Sequence, residues 1–107
     1  MAGSVHLNWY ATTFRGDKFA AALEEIAPLA LRYNALDYAV YRSRDDRYKF
    51  VHMTTFEAKL DWERFWYGPE FIRWRERHAT WYQVPMVYVW HDLIASGASE
   101  LVVQGSV

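Results

Sequence analysis

The spacing of apolar and polar positions changes several times along the chain, and each change marks an element. Val5 to Phe14 is rich in β-branched and aromatic residues and predicts a first strand. Alternation puts Val5, Leu7 and Trp9 on one face and His6, Asn8 and Tyr10 on the other. Arg15-Gly16-Asp17 breaks the strand, and Asp17 suits a helix N-cap. From Lys18 to about Tyr33 the residues Phe19, Leu23, Ile26, Ala27 and Ala30 recur at helical steps, with Lys18, Glu24, Glu25 and Arg32 off that stripe. Pro28 predicts a kink in the last turns. Leu36 to Arg42 and Tyr48 to Phe56 read as strands two and three, a hairpin across the charged turn 43–47. Leu60 to Trp66 starts a second helix, which Gly68-Pro69 interrupts before it continues from Phe71 to about Thr80. Val84 to His91 predicts a fourth strand with Val84, Met86, Tyr88 and Trp90 on one face. Residues 1–95 form one expected domain. Residues 96–107 are small and polar apart from Leu101-Val102-Val103, a tail or a short extra strand.

The order βαββαβ predicts an α+β, ferredoxin-like sandwich: a four-stranded antiparallel sheet with two helices on one face. The other face of such a sheet is polar in a monomer. Here Val51 and Met53 oppose Phe50 and Phe56, and Val87 and Val89 oppose Met86, Tyr88 and Trp90. Two apolar faces predict a homodimer in which two sheets pack together about a two-fold axis.

Composition narrows the function classes. The chain has 107 residues, 19% of them Phe, Tyr or Trp, with twelve Lys+Arg against thirteen Asp+Glu. That near-balance gives no basic field for nucleic acid or anionic membrane. The absence of cysteine excludes disulfides, thiolate metal sites and thiol nucleophiles. No apolar run approaches the ~20 residues of a membrane span. The start of the chain lacks a signal-peptide pattern, so a cytoplasmic location is expected. No Gly-rich phosphate loop or GxSxG is present, and no HxH or HExxH spacing suggests a metal.

The stretch from Phe50 to Phe71, FVHMTTFEAKLDWERFWYGPEF, with the element order, resembles the dimeric α+β barrel superfamily and within it the antibiotic biosynthesis monooxygenase domains. Phe56 stands where a strand-ending Trp is usual in that family. Trp62 fits its helix aromatic, Phe65 replaces its His, Gly68-Pro69 fits its helix break and Phe71 its closing Phe. The resemblance implies a pocket between sheet and helices, and catalysis without a cofactor on a small aromatic, phenolic or polyketide-type molecule. In such catalysis the substrate, as an electron-rich anion, itself reduces oxygen.

Asn8 is unusual mid-strand, where a buried amide needs partners. The resemblance implies that Asn8 faces the pocket and holds a substrate or oxygen-derived atom; its plain alternative is a structural or edge-exposed Asn. His6 and Tyr10 share its face and are expected to line the same site. Trp62, Phe65, Trp66, Phe71 and Trp74 form an aromatic helix face, either core packing or a flat slot for a polycyclic ligand. Arg73 and Arg77 read as solvated charges, whereas Arg75 or His78 could stabilise an enolate or phenolate. His52 and His91 could be bases, or satisfied structural histidines. The candidate catalytic set is Asn8, His52, Arg75 and His78. The candidate substrate-binding set is His6, Tyr10, Trp62, Phe65, Trp66, Phe71 and Trp74.

No metal and no cofactor is expected. Heme degradation, known on this fold, ranks lower: the proximal His of those relatives falls at Arg75, and their catalytic Trp at Phe65. Beside the oxygenase, two further readings stand. One is an acid–base cyclase or isomerase using His52 or His78; the other is a non-catalytic dimer that binds a small molecule.

Overall fold

The computed structural model describes residues 1–99. Its elements are β1 (Gly3–Tyr10), α1 (Gly16–Ile26), α2 (Leu29–Arg32), β2 (Ala35–Arg42), β3 (Lys49–Phe56), α3 (Lys59–Trp66), α4 (Pro69–Arg77) and β4 (Trp90–Asp92). The strands form one antiparallel sheet in the order β2-β3-β1-β4. This is the expected ferredoxin-like arrangement, with both central strands aromatic and β-branched on their buried side.

Alternation along β1 and β3 sets the two faces of the sheet. Val5, Leu7 and Trp9 are buried together with Phe50, His52, Thr54 and Phe56. The register pairs Trp9 with Phe50, Leu7 with His52 and Val5 with Thr54, so these side chains form one continuous inner surface. Phe19, Leu23 and Ile26 of α1, Trp62 and Phe65 of α3, and Phe71 and Trp74 of α4 cover it. The predicted stripe on the first helix is therefore the buried one.

Several predicted boundaries move. The first helix ends at Ile26, not near Tyr33; Pro28 begins a separate one-turn α2 instead of kinking a longer helix. Pro28 has no N–H to donate back along α1, so the ladder stops with the bond from Ala27 N–H to the Leu23 carbonyl. Asp17 is not the N-cap; Arg15 holds that position without a side-chain bond, and the Asp17 carboxylate accepts from Arg42 Nη1 at 2.9 Å. The second helix is two helices, α3 and α4, divided at Gly68-Pro69 as the sequence predicts.

The fourth strand is the largest departure. Of the predicted strand only Trp90–Asp92 pairs with β1; residues 84–89 join no ladder among the described residues. Upstream, Ala11 bridges Tyr82, and Gln83 N–H donates to the Tyr10 carbonyl. Between that bridge and the Val5–Trp90 pair, the C-terminal segment uses two more residues than β1 does. The surplus bows the segment off the edge of β1, as an oversized bulge would. Met86, Tyr88 and Trp90 still turn toward the core. Val84 does not join them, and Val84, Val87 and Val89 are 71%, 72% and 60% exposed. The expected feature at Leu101-Val102-Val103 lies outside the described residues.

Gly68 is required by space, since its backbone angles suit any residue. A Cβ there would meet the Arg64 carbonyl oxygen at 2.6 Å and the Tyr33 hydroxyl at 3.0 Å. Gly68→Ala is expected to destabilise the fold by about 1–3 kcal/mol through this overpacking. Urea unfolding at neutral pH measures the loss, and an unchanged midpoint would contradict the close approach.

Candidate functional site

The layer between the sheet and α3/α4 is built almost wholly of aromatic rings. Trp62 and Trp66 stack with centroids 5.4 Å apart, as their four-residue spacing on α3 dictates. Phe65 meets Phe71 at 4.7 Å, Trp66 meets Phe71 at 5.2 Å, and Phe71 meets Trp74 at 5.7 Å. Trp62, Phe65, Phe71 and Trp74 are essentially fully buried. In this state their rings occupy the region where the sequence led us to expect an open slot. The core reading of the aromatic stripe therefore holds for Phe65, Phe71 and Trp74.

Polar groups are sparse in that layer, and their bonding is informative. The Arg75 guanidinium lies 3.7 Å from the Trp66 ring and 4.8 Å from that of Phe71. Its Nη2 donates to the Trp66 carbonyl at 2.8 Å. Burial lowers the Arg75 pKa from its ordinary value, although a guanidinium keeps its charge at neutral pH. In β3, His52 is fully buried, and its Nδ1 accepts from the Trp9 indole N–H at 3.3 Å. An indole nitrogen only donates, so the neutral imidazole carries its proton on Nε2.

Three buried nitrogens, Arg75 Nη1, Trp62 Nε1 and His52 Nε2, have no hydrogen-bond partner among the described residues. All three present N–H donors without an acceptor. Leaving a buried donor unmade costs about 1–3 kcal/mol, so native folds rarely do it without reason. Each of these side chains was already a candidate in the sequence. Three neighbours were not: Trp9, which holds the His52 tautomer; Tyr82, whose hydroxyl donates to the Arg75 carbonyl at 3.4 Å; and Tyr88, which packs on Trp62 and Trp66. Tyr88 had a signal, its inward parity in the predicted fourth strand. The long-range partners of Trp9 and Tyr82 had none.

The other candidates lie elsewhere. The expectation that Asn8 faces the space under the helices is corrected: with Val5, Leu7 and Trp9 turned inward, His6, Asn8 and Tyr10 point to the opposite face. There Asn8 and Tyr10 line a cleft of about 340 Å³ with Lys49 and Val51. The Tyr10 hydroxyl donates to Asp46 at 2.8 Å, an arrangement that raises the Tyr10 pKa and lowers that of Asp46. His6 and His91 are exposed neighbours on this face, 5.4 Å between ring centroids. His78 ends α4, its Nδ1 2.7 Å from the Trp74 carbonyl and its ring between Trp74 and Trp81. That bond gives His78 a helix-capping role away from the Trp62–Tyr88 contact. Arg73 and Arg77 are exposed, as expected.

Burial lowers the His52 pKa to about 4, against 6.5 for a free imidazole. Between these values the unfolded chain binds a proton that the folded one does not. His52 therefore leaves stability intact above pH 6.5 and erodes it as pH falls toward 4, by up to about 3 kcal/mol. His52→Gln keeps an acceptor for Trp9 and removes the titration. Urea midpoints at pH 7 and 4.5 should fall less for this variant than for the wild type; equal falls would contradict the buried neutral imidazole.

No family profile matches the chain, and no curated protein does either. Solved structures do. A candidate antibiotic biosynthesis monooxygenase from Nitrosomonas europaea superposes with a TM-score of 0.77 at 18% identity, over 90% of this chain and 94% of that one. A protein of Mycobacterium tuberculosis gives 0.78 at 11% identity, over 92% and 100%. SnoaB, a cofactor-independent oxygenase from Streptomyces nogalater, gives 0.76 at 10% identity, over 89% and 95%. Identities this low speak for backbone architecture and leave activity to the side chains. The chain thus shares its backbone fold with solved structures described as antibiotic biosynthesis monooxygenases, among them a cofactor-independent oxygenase.

Proposed function

We propose that this protein is a cofactor-independent monooxygenase of a small, electron-rich aromatic molecule, with Arg75, Trp62 and His52 as the polar groups of the site. The observation that carries the reading is the set of three buried N–H donors without acceptors in an aromatic layer. An oxyanion is the natural partner of such donors, which are already desolvated and already oriented. The rings supply flat apolar surface for the rest of the molecule.

The chemistry needs a carbon acid or phenol that ionises. Arg75 lowers the cost of that anion, which then passes electrons to dioxygen. A carbon–oxygen bond forms, and the second oxygen atom leaves as water with the two hydrogens lost from the substrate. The residues bind, orient and exclude solvent. His52 is neutral, with its proton on Nε2, so it serves as a donor to the oxyanion. The cyclase reading requires His52 or His78 as a base, and His78 is engaged with the Trp74 carbonyl at the end of α4. The likeness to SnoaB supports the same choice at the level of fold.

A second reading, a non-catalytic dimer, draws support from the full burial of Phe65, Phe71 and Trp74. The two separate cleanly. Oxygen consumption with phenols, naphthols and anthrone-type compounds is the expected result for the oxygenase. Arg75→Met should then lower kcat/KM by about 100-fold or more, with Arg75→Lys recovering part. No oxygen uptake with any of these, while aromatic ligands still quench Trp fluorescence, would leave the binding reading.

The uncovered sheet face supports a homodimer within the same proposal. Tyr41, Val51 and Met53 share it with Asn8, beside the exposed Val87 and Val89. Light scattering should give twice the 12.7 kDa chain mass at micromolar concentration. Val51→Asp should return the mass of one chain without unfolding it. A wild-type protein of single-chain mass would overturn the assembly.

A further inference from the structure

We propose that Tyr88 is an internal ligand: its phenol fills a built aromatic site that a free phenol takes when residues 84–89 move outward. The inference rests on the oxygenase reading only for its relevance to turnover; the binding claim stands on the geometry of Tyr88 itself.

Three rings surround that phenol edge-to-face. Trp62 is 5.2 Å away at 65°, Trp66 is 5.7 Å away at 62°, and Tyr67 is 6.5 Å away at 72°. This is how an aromatic guest is held, each ring edge against a ring face. The phenol oxygen is read as well. Tyr67 beside it, together with burial, raises the Tyr88 pKa, and the Trp62 indole N–H acts in the opposite sense. The Trp62 N–H nevertheless completes no hydrogen bond among the described residues. A guest free of the backbone could settle closer to that donor than Tyr88 does. Arg75 lies against Trp66, so positive charge is one ring away from the guest.

The backbone allows the exchange. Strands that wall a core are normally locked by a ladder, but residues 84–89 have none among the described residues. They hang between two fastened ends: Gln83 N–H on the Tyr10 carbonyl, and the Trp90–Val5 and Leu93–Ala2 contacts. Within one chain the outward residues Val84, Val87 and Val89 are mostly exposed, so outward movement breaks no packing with the rest of that chain; in the proposed homodimer it also parts Val87 and Val89 from the partner's sheet. What it gives up is the inward packing of Met86 and Tyr88, and an entering phenol replaces the second of these.

The test is binding, with no turnover required. Tyr88→Ala should bind p-cresol, the free form of the tyrosine side chain, at least 10-fold tighter than wild type by calorimetry. Toluene, which lacks the hydroxyl, should bind that variant at least 10-fold more weakly than p-cresol does. In wild type, saturating 1-naphthol should speed amide exchange at residues 84–89 and leave β1 and β3 protected; this arm keeps the proposal testable if Tyr88→Ala fails to fold. Equal p-cresol affinity in both proteins, equal affinity of the variant for toluene and p-cresol, or unchanged exchange would each overturn it. If p-cresol binds as expected and no oxygen is consumed with any aromatic, the oxygenase reading falls and the internal ligand stands. If oxygen is consumed and Tyr88→Ala leaves p-cresol binding and KM unchanged, the reverse holds.

Discussion

Trp9 is where the separate parts of this fold meet. Its ring packs at 5.0–5.7 Å against Phe19 of α1, Trp74 of α4 and Tyr82 of the C-terminal segment. Its indole N–H donates to His52 across the sheet. A ring this large on a central strand leaves no room for a layer of small aliphatics. The helices must present flat faces of their own, which Phe19, Trp62, Phe65, Phe71 and Trp74 supply. Aromatic burial brings much apolar area into the core per residue. It also brings in polar handles, and those handles become the candidate chemistry.

The consequence is a core that is well filled but electrically incomplete. Arg75, Trp62 and His52 each carry a buried donor with no acceptor among the described residues. Each is fixed by a second contact: Arg75 by the Trp66 ring and carbonyl, Trp62 by stacking on Trp66, His52 by Trp9. Unsatisfied donors held this firmly act like a site prepared in advance, because nothing need reorganise when an anion arrives. In the proposed site, the same interlocking means that a ligand enters only when a neighbouring piece moves. The segment with Tyr88 is a piece whose backbone joins no ladder among the described residues.

The two faces of the sheet then divide the labour. The inner face holds the donors and the rings. The outer face carries Asn8, His6 and Tyr10 with exposed Val51 and Tyr41, and is the face on which the proposed dimer would form. Asn8 illustrates how a sequence argument can choose the right residue and the wrong side. Its strand and its face-mates His6 and Tyr10 follow from alternation alone. Which of two similarly apolar faces meets the helices does not.

Local pattern by itself determined a great deal: the strand–helix order, the buried stripe of α1, the hairpin at 43–47, the break at Gly68-Pro69 and the aromatic face of α3. These depend on spacing and on backbone limits of Gly and Pro, which neighbours in sequence already set. It also placed Trp62, Arg75 and His52 among the candidates, because ionisable or indole groups on otherwise apolar faces are visible one residue at a time. Tertiary structure alone decided the rest. It chose the face that Asn8 occupies and gave His78 to helix capping and His52 to Trp9. It also bowed residues 84–89 away from β1. Each of these turns on contacts between residues far apart in the chain or on a count of residues between two long-range anchors, and no local period carries that information.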